Sequence, residues 1–385
     1  MEGIKEKLKN IDLKGIKEKV TGFFMGPTDL IGIDVGSYAV KVAILKAEQG
    51  KLKLETWGHL PLESKPDASP EEKQQQTVSV LKAFLIQKGV QLKYAAVAVS
   101  GNSVIVRYVK FPLLTKKELT VTLPTEAEPF IPFDINEVQL SFHILEELVE
   151  EGQKKMETVL VAAKKDVVQS RVSVLEGAGL RPAVIDVDAF ALENVFDKTV
   201  DEPSAPGPST LFLNIGHSVT NLSIIEAGVT RVVRDVFISG NTFTKAIMKA
   251  LQYDFPKAEE VKKANGLLID AEDKEKALQE GNRDALGVSQ AVTTVMKDLV
   301  SELHRSVDFY LSQGPERSIG KIVLSGGSAK MKNMAKYLTG ELKVPVTVLN
   351  PFSFLQDLPQ DLPQELLPTM GVVAGLALRK NRDWV

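Results

Sequence analysis

Leu30–Lys46, LIGIDVGSYAVKVAILK, is an apolar run, a four-residue turn at Gly36-Ser37-Tyr38-Ala39, and a second apolar run. Apolar runs of this length on either side of a Gly-Ser turn spell strand, turn, strand. Gly36 lacks the Cβ that would keep an anion off the backbone, so the N–H groups of the turn can point at phosphate. Asp34 closes the first strand and can hold a hydrated Mg²⁺. Lys41 opens the second strand and can meet phosphate oxygens. The same letters also describe an ordinary buried hairpin with one salt bridge, and this stretch alone does not decide between the two.

The stretch occurs twice. Thr210–Glu226, TLFLNIGHSVTNLSIIE, has the same grammar, and aligning Gly36 with Gly216 pairs Asp34 with Asn214, Ser37 with His217 and Lys41 with Asn221. A supersecondary unit that recurs half a chain away implies two related halves facing each other. Two such turns can grip one polyphosphate from opposite sides. His217 in the second turn either contacts phosphate or is simply solvated. A third glycine turn follows a strand at Ile322–Ala329, IVLSGGSA, with a helix expected over Lys330–Leu338. The pair Gly326-Gly327, with Ser328, lets a flat ring press on the backbone, and the helix N-terminus favours anions.

Bulk properties narrow the class. The chain has 385 residues, enough for two domains of ordinary size. A formal net charge of −3 gives no general pull toward nucleic acid. No apolar run approaches the roughly 18 residues of a membrane span, and the N-terminus lacks the apolar core of a signal peptide. The absence of cysteine removes disulfides and thiol catalysis, which fits a cytoplasmic protein. The four histidines stand in no zinc-ligand spacing.

Residues 1–28 form an extension with GIKEK at Gly3 and again at Gly15. Two short amphipathic turns are expected there. They read either as an interfacial segment touching anionic lipid or a partner, or as a helix lying on the protein's own surface. Residues 29–100 alternate strand, helix and strand and form the first part of domain I. Residues 101–180 break this pattern and read as a small inserted subdomain. Within it Thr115 caps a helix that Pro124, Pro129 and Pro132 are expected to cut short, and Glu146–Glu151 reads as a solvated acidic turn. Residues 181–208 return to domain I and end in the linker DEPSAPGPS. Domain II follows over 209–350, with Ile269–Gly287 expected as loop or loose helix. Residues 351–385 comprise a proline-punctuated loop and a terminal helix, whose Gly371, Ala374 and Gly375 permit close packing on domain I.

The three glycine turns together resemble the nucleotide loops of the ATPase superfamily that includes actin, sugar kinases and the heat-shock ATPases. More specific blocks, FPLLTKKELTVTLPTEAEPFIPFDINEVQLSFHIL (Phe111–Leu145), VLVAAKKDVVQSRVSVLEGAGLRPAVIDVDAFAL (Val159–Leu192), RSVDFYLSQ and GVVAGLALR, resemble the PilM family of actin-like proteins of type IV pilus assembly. The likeness runs from about Leu30 to Arg379. It implies an α/β, actin-like (ribonuclease H-like) ATPase fold of two related halves, with an inserted subdomain of the 1C type also found in FtsA.

The resemblance further implies ATP and Mg²⁺ in the central cleft. Asp34 would act on metal and water, with Gly36, Ser37, Lys41, Asn214, Gly216, His217 and Gly240 around the phosphates. Gly326, Gly327 and Ser328 would hold the nucleoside. Glu260 and Lys263 match the pair that brackets adenosine in the superfamily, although i,i+3 salt bridging on a wet helix explains them equally. The corner at Asp186–Asp188 faces the γ-phosphate in the superfamily, so either carboxylate could orient water, while Asp188 also suits a helix N-cap. The family usually has an aspartate where this chain has Asn214. A neutral amide cannot act as a base, so slow hydrolysis at most is expected. The implied role is a cytoplasmic scaffold at the inner face of the inner membrane. It would bind the N-terminal peptide of PilN and join a PilO-containing complex to the motor ATPases, with residues 1–28 as a peripheral membrane contact. An FtsA-like division or type II secretion adaptor, or a small-molecule kinase, would share the fold.

Overall fold

A computed structural model of the chain describes residues 29–63, 68–201 and 204–380. The expected amphipathic turns of 1–28 lie outside the described residues. The first half begins with β1 (Ile31–Val35), β2 (Ala39–Glu48) and β3 (Lys51–Pro61), joined as antiparallel hairpins. Next comes α1 (Pro70–Gln87), which starts sharply because Ser69 and Glu72 form a reciprocal capping box and Pro70 occupies the first turn. β4 (Tyr94–Val99) then runs parallel to β1.

The insertion is a three-stranded antiparallel sheet, β5 (Val104–Pro112), β6 (Val138–Glu150) and β7 (Gln153–Lys164), in the order β5-β7-β6. Between β5 and β6 lies α2 (Lys116–Ala127), capped by Thr115 with Glu118 as its capping-box partner. Two expectations fail here. Pro124 does not cut the helix: Leu119, Leu123 and Ala127, one face at i, i+4 and i+8, are buried and hold the helix on the sheet past the missing N–H. The acidic run is strand rather than turn, because Glu150 pairs with Lys110 (2.6 Å) and Lys155 (2.8 Å) and the reversal falls at Glu151-Gly152, both with positive φ.

β7 passes without a loop into α3 (Lys165–Gly177). Val174 and Leu175 of this helix are buried against Ile31, Ile33, Val40 and Leu81. Thus α3 belongs to the core of the first half, and the insertion ends at Lys164 rather than at 180. β8 (Arg181–Val187) and α4 (Asp188–Thr199) complete this half, whose sheet has the order β3-β2-β1-β4-β8.

The second half repeats that plan with β9 (Ser209–Ile215), β10 (Thr220–Glu226) and β11 (Val229–Val236). Helices α5 (Gly240–Leu251), α6 (Phe255–Asn265), α7 (Ala271–Gln279) and α8 (Arg283–Leu311) follow, then β12 (Ile319–Ser325), α9 (Met334–Leu342) and β13 (Val346–Val348). The sheet order is β11-β10-β9-β12-β13, position for position that of the first half. The stretch expected as loop or loose helix at Ile269–Gly287 is helical, α7 plus the first turn of α8. The helix expected from Lys330 starts later, because a 3-10 turn over Gly327–Lys330 comes first and Asn333 takes a left-handed φ of 65°.

α10 (Gly371–Ala377) packs on α4 and β1 of the first half. A Cβ on Gly375 would meet the Ala191 carbonyl oxygen at 1.8 Å, so only glycine permits this approach. Leu30, Ala96, Phe212, Val323 and Val373 share one buried cluster, which fixes the two halves to each other beneath the cleft.

Candidate functional site

The β1–β2 turn, the β9–β10 turn and Gly326-Gly327 converge on a cavity of about 550 Å³ between the halves. On the first hairpin, Lys41 Nζ donates to Asp34 Oδ2 at 3.0 Å, and both side chains are more than four-fifths buried. A Cβ on Gly36 would lie 2.8 Å from Lys41 Nζ and 2.9 Å from the Ala39 carbonyl oxygen, so the tight turn requires glycine. His59 stands opposite Lys41 on β3 and also lines the cavity. Burial, with the charges of Lys41 and Lys330 added, pushes this imidazole down to about 4. The hairpin tips touch across the cleft, where Ser37 Oγ and Ser218 Oγ are 2.7 Å apart.

On the second hairpin, a Cβ on Gly216 would come within 2.7 Å of the Val219 carbonyl oxygen. Asn214 accepts from Ser325 Oγ (3.2 Å) and donates to Asn221 Oδ1 (3.0 Å), and Asn221 donates to Asp235 Oδ1 (2.7 Å). Asp235 Oδ2 then accepts the backbone N–H of Gly101 at 2.5 Å, where the chain leaves β4 for the insertion. Burial raises the Asp235 pKa against these two hydrogen bonds. His217 lines the cavity, with its ring 5.6 Å from that of Tyr38 and 6.4 Å from that of Phe255. Burial lowers its pKa.

Gly326 (φ 88°) lies against the second hairpin: a Cβ there would meet the Ile215 carbonyl oxygen at 2.5 Å and Asn214 Oδ1 at 2.7 Å. A Cβ on Gly240 would sit 3.0 Å from Ser328 Oγ. Gly327 differs, because a Cβ on it would point into open space. Nearby, Lys262 is buried and donates to Glu259, to Thr244 Oγ1 (2.6 Å) and to the Gly240 carbonyl (3.1 Å). Burial alone would raise Glu259, but Lys262 and the hydrogen bond from Thr244 hold it below the usual carboxylate range. Lys263 reaches Tyr38 Oη across the cleft at 3.2 Å. Glu260 is not part of the site. It points to solvent and pairs with Lys257 (3.1 Å), because residues 259, 262 and 263 share the cleft-facing side of α6 and residue 260 is rotated about 100° from it.

Another part of the lining is acidic, where Asp188 lies near Asp34. Asp188 bonds the Ser100 side chain. Val187 rather than Asp188 holds the N-cap position of α4. Burial first and the Asp34 charge second push the Asp188 carboxyl up to about 7. Asp186 is elsewhere, buried and paired with Arg379 at 2.7 Å. Arg171, from α3, also lines the cavity near Asp188 and donates Nε to the Ala98 carbonyl at 3.3 Å.

The structure thus gathers Asp34, Gly36, Ser37, Lys41, Asp188, Asn214, Gly216, His217, Gly240, Lys263, Gly326, Gly327 and Ser328 into one lining and leaves out Glu260. Sequence reasoning missed His59, Arg171, Asp235, Glu259 and Lys262. The pattern i, i+3, i+4 on α6 would have separated Glu259 from Glu260, and strand pairing would have set His59 opposite Lys41. Arg171 carried no local signal.

A family model for type IV pilus assembly protein PilM matches residues 32–381. The chain belongs to the PilM family. Among solved structures, a PilM–PilN type IV pilus biogenesis complex is similar at 29% identity and a TM-score of 0.75, covering 91% of this chain and 98% of that one. The ethanolamine utilization protein EutJ from Carboxydothermus hydrogenoformans matches at 12% identity and a TM-score of 0.52, over 92% of this chain and 90% of its own. MreB5 of Spiroplasma citri bound to AMPPNP matches at 12% identity and 0.50, over 90% and 94%. The last two carry the fold alone, which is actin-like. Among the described residues no helix is long and apolar enough to cross a membrane.

Proposed function

We propose that this chain binds ATP with Mg²⁺ in the cleft and acts as an actin-like scaffold of type IV pilus assembly that docks the N-terminal cytoplasmic peptide of PilN. The observation that carries the nucleotide reading is the convergence of three glycine turns on one cavity, with backbone or side-chain atoms packed against Gly36, Gly216 and Gly326 and open space in front of Gly327. The volume is within the ordinary range for small-molecule sites. Among the described residues no three His, Asp or Glu side chains are grouped to hold a metal ion. Asp34 at the phosphate hairpin fits Mg²⁺, which is commonly held by one or two carboxylates plus phosphate and water.

In this reading Gly326, Gly327, Ser328, Glu259, Lys262 and Lys263 hold the nucleoside end. Gly36, Ser37, Lys41, Asn214, Gly216, His217 and Gly240 surround the phosphates. Bound Mg-ATP supplies a phosphoryl group that water can attack. Asp188, poised near 7, is suited to holding a proton from that water. A neutral Asn214 leaves one carboxylate fewer, which keeps hydrolysis slow.

The peptide reading is supported by the PilM–PilN complex among the relatives. In this reading the insertion would form one wall of the peptide groove and the first half the other, an arrangement suited to an extended or partly helical tail. Such a scaffold would sit at the inner face of the inner membrane, between a PilO-containing complex and the motor ATPases, with residues 1–28 as a peripheral contact. The test is calorimetric titration of the PilN cytoplasmic peptide into the full chain. Absence of binding with and without Mg-ATP would overturn this half of the proposal.

A further inference from the structure

Arg171 lies about two turns into α3, the helix that continues from the inserted sheet at Lys164 and packs into the first half. Its Nε is committed to the Ala98 carbonyl at 3.3 Å, which fixes the plane of the guanidinium. Among the described residues neither Nη group has a hydrogen-bond partner, and no carboxylate comes within ion-pair distance, although Asp188 and Asp34 act on it electrostatically. The other cations of the lining are differently placed. Lys41 is paired with Asp34, Lys262 and Lys263 with Glu259, and Lys330 lies on the 3-10 turn that follows the glycine pair. A half-buried guanidinium anchored by one backbone bond, with its fork turned to a cavity, is built to receive two anionic oxygens.

Its place in the cavity indicates which oxygens. Within the lining, Arg171, Asp188, Ser100 and Asp34 of the first hairpin are neighbours, while Ser328, Gly240 and Lys262 form a second group beside the second hairpin. With Asp34 given to Mg²⁺, a terminal phosphate beside Asp188 still needs a cation to face it, and Arg171 is the neighbour that can. Resting on the nucleotide reading above, we infer that Arg171 reads the terminal phosphate of the bound nucleotide, so that the site distinguishes a triphosphate from a diphosphate. Arg171 is then a binding residue, and because α3 starts where the inserted sheet ends, it stands at the joint of that subdomain.

The test is calorimetric titration of Mg-ATP and Mg-ADP into the full chain and into Arg171→Ala and Arg171→Lys, each shown by thermal melting to be folded. Arg171→Ala should weaken ATP binding by about 10- to 100-fold and ADP binding by less than about twofold. Arg171→Lys, which keeps a charge without the fork, should retain part of the preference for ATP and serves alone if the alanine variant does not fold. Equal losses for both nucleotides would mark Arg171 as a structural counter-charge and overturn the inference, as would no change in either. Failure of the wild-type chain to bind ADP or ATP would instead remove the nucleotide reading, and this inference with it.

Discussion

Asn214 Nδ2 donates to Asn221 Oδ1 at 3.0 Å across the second hairpin. Asp34 and Lys41 hold the same register in the first hairpin and form an ion pair at the same distance. The repeat therefore keeps its positions while a charge pair in one half is an amide pair in the other. The amide pair is also the middle of a relay from Ser325 to Asp235 and on to the backbone of Gly101, so the second hairpin is tied to the root of the insertion.

Asn214→Asp is predicted to raise single-turnover ATP hydrolysis several-fold without weakening ATP binding, because it returns a second carboxylate to the phosphate end. The relay adds a cost. A carboxylate cannot donate to Asn221, so Asn221 must turn its amide and present Oδ1 to Asp235, whose burial already favours the protonated form. Stability without nucleotide should fall by about 1–2 kcal/mol in chemical denaturation. An unchanged hydrolysis rate with intact binding would clear Asn214 as a cause of slow turnover.

His59 predicts an acid-side loss of stability. Its folded pKa is depressed to about 4, so the unfolded chain, with an ordinary value near 6.5, takes up the proton first as pH falls. The stability of the neutral ring is complete above about 6.5 and is lost between about 6.5 and 4. Solvent at this half-buried position limits the effect to roughly 1 kcal/mol. His59→Gln should flatten this part of the pH–stability curve, and a curve of unchanged slope would refute the assignment.

The insertion can be removed without cutting the core of the first half. Val104 pairs with Ala163, so its two ends are adjacent and a short turn can join them, provided that α3 is kept. Replacing residues 104–163 in this way should abolish binding of the PilN peptide while leaving a cooperative melting transition. Binding of the peptide by the shortened chain with unchanged affinity would place the groove elsewhere.

The hairpins, the glycine pair and the repeat were legible because they are local: each is a short run of apolar residues around a turn that only glycine can make. The boundary of the insertion was not legible, since α3 follows β7 without a break and only its contacts with Ile31 and Leu81 assign it to the first half. Glu259 was not legible beside Glu260, because spacing along the chain does not say which side of α6 faces the cleft. Arg171 and Asp235 reach the site from separate elements, and nothing in their neighbouring residues marks them.

The central claim is that the glycine turns hold a nucleotide, and Gly327 tests it most directly. A Cβ there meets no protein atom within 4 Å, so Gly327→Val should fold with a nearly unchanged melting temperature and fill the space in front of the turn. Thermal melting of both proteins with and without millimolar Mg-ATP is the decisive measurement. The wild-type chain should gain several degrees, as expected for a ligand present well above its Kd, and the variant should gain none. A wild-type chain indifferent to Mg-ATP, or a variant that keeps the full rise, would contradict the assignment of the site.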